Sequence, residues 1–327
     1  MKKFIILAIA LCSFSFSEAQ NEVLTAILQH GDEATSFIGM DALKQAHEAA
    51  VDGDIITLSE GAFNSIDITK SVSIYGAGFE KDEAAGTAVT ILKGLNIGNT
   101  DQAISNVRLE GVCVSGSIYL SFKNTKTIEG LVITKCFIEN GVNFNGRSIN
   151  TEISQSVILG NVGTKNGATA EGMLIQNCWL GTVAGFNASS SINVNNCIVT
   201  ADYGGAILYT NSILANYYTP NSAIAEGSVV KNCLCRRALP GANRIVENCY
   251  VFQNFDEIFT DANDENYTSS RTFELKEPAT WLGTDGTQIG ILGGKGFSKI
   301  PATPTIKNIT VTVDGKVLKV DYKAEVR

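Results

Sequence analysis

The chain has 327 residues, 44% hydrophobic and 18% charged, with 31 glycines, 5 prolines and a formal net charge of −8. A charged fraction below the usual ~25%, with no sustained heptad or basic stripe, excludes a disordered tail, a coiled coil and a nucleic-acid-binding surface. Two histidines leave a Cys/His zinc site almost without ligands, and no cofactor or metal is expected.

In chain order, Lys2-Lys3, the apolar run Phe4 to Leu11 and Ser17-Glu18-Ala19 have the layout of an export signal over 1–19, cleaved after Ala19. The expected location is therefore the periplasm, the outer-membrane surface or the extracellular space. No later run reaches the ~18 apolar residues of a membrane span. Residues 20–50 form an N-terminal segment that ends in a short amphipathic helix around 41–50. A strand and turn follow at Asp54-Ile-Ile-Thr-Leu58 and Glu60-Gly61, then a second strand at Ile66-Asp-Ile68.

From residue 113 the chain repeats itself. Cys or Ser anchors stand at Cys113, Cys136, Ser156, Cys178, Cys197, Ser212, Cys233 and Cys249, spaced by 15 to 23 residues and preceded from Cys178 onward by Asn. Each unit reads as a short alternating strand, an Asn-Cys or Asn-Ser bend, a second apolar strand and a Gly/Asn turn. A period near 20 without helices excludes leucine-rich, ankyrin and tetratricopeptide arrays. It fits a parallel β-helix, whose coils stack at ~4.8 Å and place like residues in ladders. Cys12 belongs to the leader, and the remaining seven cysteines cannot all pair; the contexts suit small buried hydrophobes.

The N-terminal block, with Gly53-Asp54-Ile-Ile-Thr-Leu-Ser-Glu60-Gly61 and Lys70-Ser71-Val-Ser-Ile-Tyr-Gly76-Ala-Gly78, resembles the opening of the pectin-lyase-like right-handed parallel β-helix superfamily. Thr280 to Gly294 is similar to the closing segment of secreted β-helix proteins of the kind found in Bacteroidetes. The resemblance implies an all-β, right-handed parallel β-helix over 51–297, closed at its N-terminal end by the helix; the repeat spacing gives it roughly ten to eleven coils. Linker and hairpin fill 298–327, where Ile309-Thr-Val-Thr-Val313 and Lys316-Val-Leu-Lys-Val320 flank Asp314-Gly315.

That superfamily includes polysaccharide lyases, glycosidases and esterases as well as adhesins, so the fold alone assigns no activity. Between 130 and 250 the acids are Glu139, Glu152, Glu171, Asp202, Glu226 and Glu247. None neighbours another in sequence, and Asp202 and Glu226 are the nearest candidates for a carboxylate pair one coil apart. The basic cluster Arg236-Arg237 to Arg244 resembles a pectate-lyase arginine motif but departs from its spacing, and no acid cluster accompanies it. Asp261 to Glu265 departs from a calcium loop at its sixth and twelfth positions. The expectation is a non-catalytic exported protein that binds glycans or surface partners; the alternative is a lyase or hydrolase of an acidic polysaccharide. The candidate ligand-binding residues are Tyr203, Tyr209, Tyr217 and Tyr218, whose rings suit sugar faces, with Arg236, Arg237 and Arg244 for carboxylate or sulfate. For the tyrosines the alternative is core packing, and for the arginines pairing with Glu226 and Glu247. No nucleic-acid partner is expected.

Overall fold

The computed structural model describes residues 24–302 except 121–125, 166, 203, 216–226, 240–243 and 262–265, together with the backbone of 305–314 and 317–325. The expected leader lies outside the described residues. Strand accounts for 43% of the chain and helix for 5%, in a parallel-sheet β-solenoid of about eight turns. No helix of the described residues is long and apolar enough to cross a membrane.

Successive repeats stack in phase. In the first sheet the inward positions Ile133, Ile153, Ile175, Val194, Tyr209 and Val230 sit directly over one another. In the second sheet Ile138, Ile158, Leu180, Val199, Leu214 and Cys235 do the same. These ladders are almost wholly buried and form the core. The period-2 pattern produces them, because each strand turns one set of alternate residues inward.

The corner between the two sheets explains the Asn-Cys motif. Lys135, Gln155, Asn177, Asn196, Asn211, Asn232 and Asn248 all adopt φ between 49° and 53°. This is the left-handed region, which Asn tolerates better than other non-glycine residues. The next residue points inward, where Cys136, Cys178, Cys197 and Cys233 are buried and Cys249 is half-buried. Their thiols donate to the carbonyl two residues back, at 3.2 Å in Cys136, Cys178 and Cys197. Ser156 and Ser212 donate in the same way at 2.7 and 2.8 Å. All seven described cysteines are free thiols.

At the N-terminal end the helix Ala42–Ala49 buries Ala42, Leu43, Ala46 and His47 against the first strands. Beside it lies an antiparallel hairpin, Thr25–His30 with Glu33–Ile38, which extends the first sheet beyond Ile55–Leu58. The sequence reading missed this hairpin, although Gly31-Asp32 marks its turn.

At the other end the coils stop sooner than expected. The sheets end on Ile245–Glu247 and Tyr250–Val251, so 252–302 is not solenoid. This segment folds back along the outside, through the short helix Phe255–Ile258 and two isolated bridges. It covers the outward ladder Val157, Trp179, Ile198, Ile213 and Leu234 with Phe255, Phe259, Phe273, Leu275, Ile289 and Ile291. The corner amides hold it in order. Asn211 Oδ1 accepts from Thr284 N (2.8 Å), and Asn177 Nδ2 donates to Ile291 O (2.9 Å) and Gly293 O (2.6 Å). Gln155 Nε2 donates to Gly296 O (2.8 Å), and Ala302 N donates to Glu110 Oε1 (2.7 Å). Beyond it, Thr305–Asp314 pairs antiparallel with Val317–Glu325, the hairpin expected around Asp314-Gly315.

Candidate functional site

Of the predicted binding residues, the structure describes Tyr209, Arg236, Arg237 and Arg244. Tyr203, Tyr217 and Tyr218 lie outside the described residues. Tyr209 requires a correction: it is 0% exposed, packed in the inward ladder between Val194 and Val230, so its ring is closed to a ligand. Burial raises its phenol pKa well above the ordinary value, with Asp202 adding to the shift. Asp202 follows the inward position of Val183 and is 3% exposed, so it is not presented as a surface acid; its Oδ1 accepts from Gly204 N at 3.0 Å. Its proposed partner, Glu226, lies outside the described residues.

Arg236 and Arg237 leave the second sheet after Leu234–Cys235, and Arg244 enters the first sheet before Ile245–Glu247. The Arg236 Nε donates to Gln253 O at 2.9 Å, while Arg237 is exposed. Glu247 is paired with Lys231 at 3.0 Å.

The outer face of the first sheet carries a feature that the sequence reading did not name. Leu174, Asn193, Leu208 and Val229 occupy one outward position on four consecutive rungs. Together with Gly172, Ser190, Ser191, Ala206 and Gly227 from the preceding turns they line an open groove of about 580 Å³. The backbone shapes its wall: Gly172 has φ 65°, and its N–H donates to Ser191 Oγ at 2.6 Å. Asn193 stands mid-floor between two leucines, and its buried Oδ1 has no partner among the described residues. The lining carries no charge. One rung further, Ile245 succeeds Val229 and Arg244 succeeds Ser228 by register, with Ile245 N donating to Ser228 O at 3.2 Å. None of the predicted residues that the structure describes lines this groove; Arg244 lies on the next rung, opposite the buried Ser228. The signal was present in the repeat, since the residue four before each anchor is the outward one.

The seven thiols show no exposed nucleophile in the inner coils. Burial pushes Cys136 up to about 12 and Cys113 to about 11. At the last coil the trend reverses: the neighbouring Cys233 and Cys235 thiols hold the Cys249 thiol below its ordinary pKa. Among the described residues, no group of three or more His, Cys, Asp or Glu side chains is arranged to hold a metal ion. Comparison of the chain with protein-family models and with curated proteins found no match.

Proposed function

We propose that this is an exported, non-catalytic solenoid that binds a glycan along the groove of the first sheet. The observation that carries the reading is the uncharged, open floor of Leu174, Asn193, Leu208 and Val229, with serines along one edge. Aliphatic side chains pack on the apolar faces of sugar rings, and the Ser190 and Ser191 hydroxyls at the edge can exchange hydrogen bonds with sugar hydroxyls. Strands fixed by the stacked coils keep such a surface rigid, so little ordering cost falls on binding. Arg244 at the end rung favours a ligand with carboxylate or sulfate groups, whose planar or clustered oxygens match a guanidinium.

A glycan array comparing neutral and acidic polysaccharides, followed by calorimetry on the hits, tests this. Binding should weaken at least about tenfold in Leu208→Glu, and Arg244→Ala should weaken acidic ligands more than neutral ones. Equal binding by the Leu208→Glu protein, folded as judged by circular dichroism, would remove the groove from consideration. Release of unsaturated products or new reducing ends from any hit would replace the reading with a lyase or hydrolase.

A further inference from the structure

Two features of this molecule bear on one another. The first is the open end of the solenoid, where Ile245 is 52% exposed, Val246 39%, Tyr250 45% and Val251 55%. Val246 and Val251 continue the inward ladders of Val230 and Cys235, so core-type residues are exposed at the end of the stack, with no further coil over them among the described residues. The strands carrying them end both large sheets and offer backbone N–H and C=O groups to a further strand.

The second feature is the C-terminal hairpin. Its register pairs Ile309 with Tyr322, Val311 with Val320 and Val313 with Leu318, while Thr310 pairs with Asp321 and Thr312 with Lys319. Alternate positions therefore make one face apolar and the other polar. A two-stranded hairpin alone in water is marginal, and it gains stability by packing its apolar face or extending its sheet.

The hairpin is tethered where it cannot cover its own open end. Ala302 is fixed on Glu110, whose strand lies seven spacings along the first sheet from Ile245–Glu247, or ~34 Å at ~4.8 Å each. Only residues 303 and 304 separate this anchor from Thr305. A ten-residue strand is itself ~34 Å long, so aimed straight at that end it delivers little more than its turn. In the other direction the Glu110 strand is four spacings from the capped edge of the sheet, ~19 Å. The hairpin is long enough to project beyond that edge.

We propose that the C-terminal hairpin of one copy docks on the open last coil of a second copy, head to tail. The Val311–Val320 face of the donor covers Val246 and Val251, and its strands extend the acceptor's sheets. Donor and acceptor surfaces differ, so the contact is heterologous and repeats along a chain of copies rather than closing on a dimer.

Light scattering of the full chain over a concentration series tests this. Mass should rise with concentration beyond a dimer. Deletion of 305–327, Val311→Lys and Val251→Lys should each weaken association at least about tenfold. Val251 is exposed, so its variant should melt as the parent does, which separates lost docking from lost folding. In mixed light- and heavy-isotope chains, an amine cross-linker should join Lys319 or Lys323 of one copy to Lys231 of another. A chain that stays monomeric throughout overturns the proposal. So does association that survives hairpin deletion, which would mean that the open ends meet each other, or cross-links confined to single copies.

Discussion

At the corner between the two sheets, one residue type meets two demands. Asn177 is 2% exposed, sits at φ 52°, and turns its amide outward to two carbonyls of the returning segment. Asn177→Val imposes a left-handed cost of ~1–2 kcal/mol and removes two hydrogen bonds of ~0.5–1.5 kcal/mol each. Urea unfolding should show a loss of about 2–5 kcal/mol, against about half that for Asn177→Gly, which keeps the backbone freedom. The neighbouring thiols give a pH signature. The Cys136 thiol has its folded pKa raised from 9.0 to about 12, so the folded state holds the proton more tightly than the unfolded chain. Its contribution is complete below pH 9 and is lost as pH rises toward 12. Cys136→Ser, which copies the natural Ser156 and Ser212, should fold and show a shallower alkaline fall in the urea midpoint. Among the described thiols, Cys249 should be alkylated first under native conditions, since it is half-buried and its pKa is lowered by its two neighbours.

At the scale of the element, the returning segment and the cap do the work that ends a solenoid. Trp179 is 2% exposed only because 252–302 lies over it, with Tyr267 and Phe273 rings at 6.1 and 5.7 Å and the Arg271 guanidinium at 5.2 Å. The Lys299 ammonium and the Tyr267 hydroxyl both bind Glu80, tying the segment to an early loop. Trp179→Ala should cost about 3–5 kcal/mol, the range for emptying a large aromatic site, and should raise binding of a hydrophobic dye as the outer ladder opens. At the cap, burial and then Lys70 push His47 down to about 4, while its Nε2 accepts from Thr69 N at 3.2 Å. A folded pKa below the ordinary 6.5 means the contribution is present above that value and lost as pH falls toward 4. Amide protection factors over 25–70, which correct exchange for its intrinsic pH dependence, should therefore fall below pH 6.5 in the parent, and His47→Gln should remove that fall.

For the whole molecule, the return path changes how the solenoid comes apart. A bare stack of coils has only nearest-neighbour contacts and frays from its ends. Here residues 284–302 contact corners from Asn211 back to Gln155 and then Glu110, so distant rungs share one clasp. Denaturation should pass through a single transition in the parent. In Asn177→Gly combined with Asn196→Gly, hydrogen–deuterium exchange should show coils after residue 192 opening before those preceding residue 130. Simultaneous opening of both halves in that variant would show that coil stacking alone carries the cooperativity.

The repeat itself determines most of this architecture. Alternation assigns each strand an inner and an outer set, Asn before Cys marks the left-handed corner, and stacking like residues is how these short strands bury their inner set. The same alignment puts Tyr209 in line with Ile175 and Val194, three residues before the anchor, so its burial was legible from parity. Reading its ring as a ligand platform ignored that phase. The groove of Leu174, Asn193, Leu208 and Val229 was equally legible as an outer ladder, but its openness was not. Whether an outer ladder is covered depends on a segment that returns from beyond the last coil. Val157, Trp179 and Ile198 are buried because 252–302 returns across them. On the other face, the floor of Leu174, Asn193, Leu208 and Val229 stays open. No local pattern distinguishes those two faces. The choice belongs to the tertiary structure, because the corner amides that guide the return project from one edge of the coil only.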